Sequence, residues 1–254
     1  MVRQETGGAH LNRLEDIQRL YAVLGRLGRR LGGSRRLDEC SGRMAWPARG
    51  VYFFFEAGEE RSTSGDGPRV VRVGTHALTA GSRTSLWQRL SQHRGVARTG
   101  GGNHRGSIFR LLVGEALHRR AGSPLRSWGT GSSAGDAARM LGVERSVVRE
   151  QEHAVEASVS DLIGSMPFLW ILCDDAPGGA SVRGIIERNA IALLSNFERE
   201  PIDPPSPAWL GTFSARDRVR GSGLWNNNHV DEEYDGSFLD VLVAAVENTP
   251  PTAP

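Results

Sequence analysis

Gly50-Val-Tyr-Phe-Phe-Phe-Glu56, Val70-Val-Arg-Val73-Gly74-Thr75 and Leu86-Trp-Gln-Arg-Leu-Ser-Gln-His93 decide how this chain is read. The first is a dense run of β-formers bounded by Pro47 and by polar turn residues from Gly58 to Pro68. The second is a shorter strand closed by Gly74. Two such strands joined by a polar connection predict an antiparallel hairpin whose loop sits in solvent. Thr84-Ser85 then supplies a cap for a helix from Leu86 to about Arg94. That helix puts Arg89 and His93 one turn apart on one face.

Working outward, Leu11, Leu14, Ile17, Leu20, Tyr21, Leu24, Leu27 and Leu31 recur at helical spacing, with Gly32-Gly33 as the stop. Beyond the capped helix, residues 95–106 form a Gly/Arg/His loop, and Ser107 to Leu117 is apolar in a way that fits strand or helix. Gly129 to Gly135 reads as a flexible linker, and Asp136 to about Ile163 as one or two helices, so this middle stretch looks like an insertion. Pro167-Phe-Leu-Trp-Ile-Leu-Cys173 is a continuous apolar run that suits a central strand. Ser181 to Phe197 is an amphipathic helix with Glu187 and Arg188 off its apolar stripe. Pro201 to Pro207 is an extended connector. Trp209, Trp225 and the run Asn226-Asn-Asn228-His229 precede a final helix from Phe238 to about Val246. No internal repeat is present.

Composition narrows the chemistry. The 254 residues contain no Lys, so all 31 basic residues are Arg, against 29 Asp and Glu. A Schiff-base lysine and a P-loop lysine are excluded, and Gly129-Thr-Gly131 is a poor phosphate loop. The net charge of +2 is small but unevenly spread. Residues 81–126 hold nine Arg and three His against Glu115 alone, whereas the chain from His229 onward is acidic and has no Arg. Cys40 and Cys173 have neither CxxC spacing nor a nearby His pair, which argues against zinc and against a disulfide framework. No apolar run approaches the roughly 20 residues needed to span a bilayer, and Met1 to His10 is too polar for a signal peptide. The expectation is a soluble, cytoplasmic protein with no membrane partner.

In their order, Gly50-Val51-Tyr52, Arg72-Val73-Gly74-Thr75 and the helix with Arg89 and His93 resemble the GIY-YIG nuclease superfamily, nearest in pattern to its restriction-endonuclease branch. The resemblance covers the hairpin and helix at 50–94, and the strand and helix at 167–197 by pattern. It implies an α/β (α+β) core with a three-stranded, mostly antiparallel sheet flanked by helices, plus a helical insertion and terminal extensions. The expected division is a helical extension over 1–45, the core over 46–200 with an insertion at about 95–165, and a C-terminal extension over 201–254. The implied activity is metal-dependent hydrolysis of DNA phosphodiester bonds, with double-stranded DNA as partner and restriction or phage defence as a natural setting. The oligomeric state, a dimer included, stays open.

Residue by residue, the resemblance implies that Tyr52 lies beside the attacking water and helps deprotonate it. A phenol has an unperturbed pKa of about 10 and becomes a useful base only under nearby cations, which Arg72 and Arg89 can supply. Arg89 matches the arginine that clamps the scissile phosphate, where its planar fork can hold two oxygens. His93 would assist proton transfer or bind the same phosphate. Glu187 matches the carboxylate that holds a single Mg²⁺ (or Mn²⁺), with waters and substrate oxygens filling the shell. The family places an Asn after that helix, and Asn196 and Asn226 both qualify. In the Gly-rich loop, Arg94, Arg98, His104 and Arg105 are candidates for DNA-backbone contact, although an exposed loop in an all-Arg protein would look the same.

Arg72 departs from the pattern, standing where a second tyrosine is expected. Either it binds phosphate and tunes Tyr52, or the fold persists with catalysis weakened or lost, leaving a nucleic-acid-binding protein. His76, just beyond Gly74, is a spare proton carrier. A hydrolase built on His93 and an acid is a third option, but no Ser or Cys sits in a nucleophile-elbow context.

Overall fold

The computed structural model describes residues 5–252, with side chains from Asn12 onward, so Met1–Gln4 of the polar N-terminal stretch and the side chain of Leu11 lie outside the described residues. The apolar run at Gly50 becomes strand β2 (Gly50–Glu60), following a two-residue strand β1 (Arg35–Arg36) and preceding β3 (Pro68–Gly74). The run at Pro167 becomes β4 (Pro167–Leu172). The sheet order is β1-β4-β2-β3, with antiparallel pairing throughout. The class is therefore the expected one, with four strands in place of three. The extra strand is the short β1, too brief to leave a sequence pattern. β2 also outlasts its apolar stretch, because irregularities on either side of Phe55 let it keep pairing as far as Glu60.

Residues 50–55 are all buried, with no alternation, because both faces of β2 are covered. On one face, Tyr52 and Phe54 meet His93 of α2 (Leu86–Arg94) and Phe109 of α3 (Ile108–Arg120). On the other, Phe53 pairs across with Leu169, which lies under Gly28 of α1 (Glu5–Arg30). Ser107 to Leu117, equivocal in sequence, is helical because the Ser107 hydroxyl caps the Arg110 N–H and starts α3. The insertion continues as α4 (Ala134–Leu141) and α5 (Arg145–Ser165). After β4 come α6 (Val182–Leu194), the short α7 (Asp217–Ser222) and α8 (Phe238–Asn248).

Both terminal segments belong to the main core. Leu20, Leu24 and Leu27 of α1 and Leu239 and Leu242 of α8 are buried in the same apolar cluster as the sheet. Arg13 fastens α1 to the end of α6, donating to the carbonyls of Leu193, Ser195 and Glu200 at 3.0, 2.7 and 2.8 Å and to Asn196 Oδ1 at 2.9 Å. Cations at a helix C-terminus meet its unsatisfied carbonyls.

Tyr52 faces Gly74 across the hairpin, and a Cβ on Gly74 would stand 2.4 Å from the Tyr52 hydroxyl. Only glycine leaves room for that ring. Gly74→Ala is expected to destabilise the protein by about 1–3 kcal/mol, the usual range for overpacking, read as a lower urea midpoint.

Candidate active site

Tyr52 and His93 have no exposed surface. The Tyr52 hydroxyl lies 2.7 Å from His93 Nε2, and His93 Nδ1 lies 2.7 Å from the Ser107 hydroxyl. Both ring nitrogens are thus engaged by groups that can donate or accept. Burial first, and then Arg89, Arg72 and Arg110, hold His93 well below the ordinary imidazole range, so it is neutral near pH 7.

Above this pair opens a cleft of about 610 Å³, lined by Arg72, Thr75, His76, Arg89, Glu187 and Asn226 among others. Tyr52 and His93 are not part of its wall. Arg72 comes from β3, donates to the carbonyl of Trp225 and lies with its guanidinium 4.8 Å from the Phe109 ring centre. Burial works against its charge, while the Tyr52 hydroxyl and Glu187 support it. Arg89 comes from α2, whose first turn is fixed by a reciprocal Ser85–Gln88 capping box. One of its nitrogens donates to Gln92 Oε1 at 3.1 Å and to the Gly106 carbonyl at 3.2 Å, and its Nε has no partner.

Glu187 projects from α6, and its Oε1 accepts the Thr75 N–H at 3.0 Å. Burial pushes this carboxyl above its ordinary value, against the pull of Arg72, the Thr75 N–H, His229 and Arg89. Asn226 is not free to reach far: its Oδ1 accepts the Val73 N–H at 3.1 Å and its Nδ2 donates to the Val73 carbonyl at 2.9 Å. The side chain thereby acts as an extra peptide group along β3. Asn196 lies elsewhere, shared between Arg13 and the backbone of Ile202.

His76 is held by its surroundings. Arg183, buried at the start of α6, pairs with Asp175 and donates to the carbonyls of His76 and Ala77 at 3.3 and 3.0 Å. The His76 Nδ1–H donates to the Thr84 carbonyl at 2.8 Å, which leaves Nε2 as an unprotonated, unpartnered nitrogen. Burial, with help from Arg183, Arg89 and Arg49, brings this imidazole down to about 4.

Of the loop residues, Arg94 donates to the Cys40 carbonyl at 2.6 Å and packs over Trp87. His104 is buried between Glu156, at 2.9 Å, and the face of Trp128. Arg105 makes paired hydrogen bonds of 2.8 and 2.7 Å to Glu152. Their donors are used within the protein, whereas Arg98 is exposed and has no ion-pair partner among the described residues. Sequence reasoning passed over Thr75, Ser107 and His229. His229 is a non-glycine residue with φ of 65°, and its Nδ1 lies 2.7 Å from Glu232. The Gly-Thr pair and the Asn-rich run were the only signals for the first and last of these.

No three His, Cys, Asp or Glu side chains converge as a metal cage among the described residues. Glu187 Oε2, however, makes no hydrogen bond to them, and one carboxylate completed by water and substrate oxygens is a normal shell for Mg²⁺ or Mn²⁺. The donor set fits such an ion and not a closed zinc site.

The family model described as the GIY-YIG domain matches residues 11–252, which takes in the terminal helices and the insertion as well as the hairpin. No match emerges among curated proteins or solved structures. No helix of the described residues is long and apolar enough to cross a membrane. With nearly the whole sequence matched, the chain belongs to the GIY-YIG domain family, whose members are generally endonucleases.

Proposed function

We propose that this protein is a divalent-metal-dependent endonuclease that hydrolyses phosphodiester bonds of double-stranded DNA by an activated water. The observation that carries this reading is the meeting, on the wall of one cleft, of three side chains of complementary kind: the Arg89 guanidinium, the Glu187 carboxylate with one oxygen that no neighbour uses, and the His76 imidazole. Cation, carboxylate and base are what phosphodiester hydrolysis asks for.

Arg89, with Arg72 beside it, binds the non-bridging oxygens and offsets the charge that builds on them. Glu187 would hold Mg²⁺ or Mn²⁺. When bound, that ion supplies positive charge to the phosphoryl group. Two groups compete for the water's proton. Tyr52 can pass its own proton to His93 at 2.7 Å, but neither ring lines the cleft. His76 stands on the cleft wall with its tautomer already fixed. A bound phosphate diester adds negative charge beside this imidazole and raises its basicity. On this basis His76 takes the proton, and the Tyr52–His93 pair orients Arg72 from below.

The rival is a DNA-binding protein without catalysis, favoured by one specific observation: Arg72 occupies the expected phenol position, and its guanidinium is tied to Trp225 and Phe109. A plasmid assay at low salt separates the two. Wild-type protein is expected to nick or cut in Mg²⁺ and not in EDTA, with about 100-fold or greater loss in Glu187→Ala, Arg89→Ala and His76→Ala, and a smaller loss in Tyr52→Phe. Salt-sensitive binding with intact plasmid at every Mg²⁺ concentration would overturn the nuclease in favour of the silent binder.

The buried imidazoles also set a pH dependence of stability. Below about pH 6.5 the unfolded chain takes up protons that native His76 and His93 refuse. Their contribution is therefore complete above about 6.5 and is lost as the pH falls, for His76 through about 4. The urea midpoint is expected to drop between about pH 7.5 and pH 5, and to drop less in His76→Gln.

A further inference from the structure

The insertion contains a second arrangement that the cleft does not use. α4 and α5 are separated by only Gly142, Val143 and Glu144. Gly142 takes the left-handed conformation, with φ of 67°, and the Val143 N–H returns to the Ala138 carbonyl at 3.0 Å. A side chain there would be strained, so glycine permits the abrupt reversal. Ala137, Ala138 and Val148 then pack as an apolar cluster of their own, apart from the main core. Two small residues on the first helix, a left-handed glycine and a β-branched residue on the second bring the helices close at a tight turn. A tight, glycine-turned helix pair is shared by αα-hairpins and helix-turn-helix units.

The second helix of the pair presents an unusual surface. Arg145, Ser146, Arg149 and Gln151 are exposed on its opening turns. Neither arginine has an ion-pair partner among the described residues. Met140, Val143 and Val147 are exposed beside them at 70%, 43% and 38%. Arginine reads guanine, glutamine reads adenine, and apolar groups meet the thymine methyl, all in the major groove.

The pair is also joined to the cleft. Glu152 of α5 holds Arg105, and the carbonyl of the next residue, Gly106, accepts from Arg89. A hollow of about 480 Å³ between the Gly-rich loop and this helix carries Arg145, Arg149 and His153 on its wall. We infer that α4 and α5 form a DNA-reading helix pair, α5 entering the major groove of a duplex whose backbone continues toward the cleft. Glu144 and Glu150 lie among the same residues, so charge does not draw a duplex here and the base edges must supply the attraction. The inference rests on the nuclease reading only for the fate of the DNA, since docking itself needs neither metal nor cleavage.

The test uses full-length wild-type protein in EDTA, which blocks any cutting. Bound duplexes are selected from a random pool, and affinity for the selected duplex is compared with that for an unrelated one. A defined motif is expected, bound about tenfold or more tightly than unrelated DNA. R145A/R149A is expected to lose that preference by a similar factor with its melting temperature unchanged, and R149K to shift the preferred base at one position. Absence of any motif, or equal preference in the double variant, overturns the inference. Cutting is scored separately on plasmid in Mg²⁺. Motif-specific binding without cutting supports the helix pair and removes the nuclease, whereas cutting with no motif and no effect of R145A/R149A removes the helix pair and keeps the nuclease.

Discussion

A guanidinium is buried at least cost where its several N–H donors find acceptors, and three buried arginines that meet this demand hold the elements of this fold together. Arg110, with no exposed surface, donates to Glu156 Oε2, to the Glu156 and His93 carbonyls and to Ser160, and so ties α3, the end of α2 and α5 together. Arg183 ties α6 to the loop after β3, and Arg13 ties α1 to the close of α6. Arg183 and Arg13 take up carbonyls of a loop and of a helix end that would otherwise go unpaired. The chain has no Lys, and a lysine in these places would offer three donors from one point in place of a planar fork.

The electrostatics of the cleft follow from the same crowding. Three arginines, Arg72, Arg89 and Arg183, surround two imidazoles that burial already keeps neutral, and a carboxyl whose pKa burial raises. Arg183 is matched by Asp175, so the uncompensated charge on the cleft wall comes from Arg72, Arg89 and Arg216 against Glu187, a setting in which an incoming anion gains more than it would at an open surface.

Much of this was legible in the sequence, for identifiable reasons. The hairpin, the capped helix and the apolar strand at Pro167 announce themselves because propensity, pattern and capping agree there. Glu187, Arg89 and Arg72 could be placed together only through the family resemblance, which assigns them positions on those elements. Ser107–Leu117 could not be decided, since a fully buried helix lacks an amphipathic stripe; the deciding group was the Ser107 cap. The choice between Asn196 and Asn226 depended on which lay against β3, a contact across some 150 residues of chain that spacing does not encode. Likewise, whether loop cations face solvent or the protein turned on Glu152 and Glu156, two buried acids on a helix that otherwise reads as surface.

The seam between Asn226 and β3 has a further consequence. β3 is the last strand of the sheet, and Trp225 donates its N–H to the Val71 carbonyl while the Asn226 side chain occupies both backbone groups of Val73. At the opposite margin, β1 is only two residues long. An exposed margin of this apolar sheet would be a template for strands of other chains. The residues that border the cleft therefore also shield the sheet from self-association, so that a substitution made at Asn226 to probe chemistry acts on solubility at the same time.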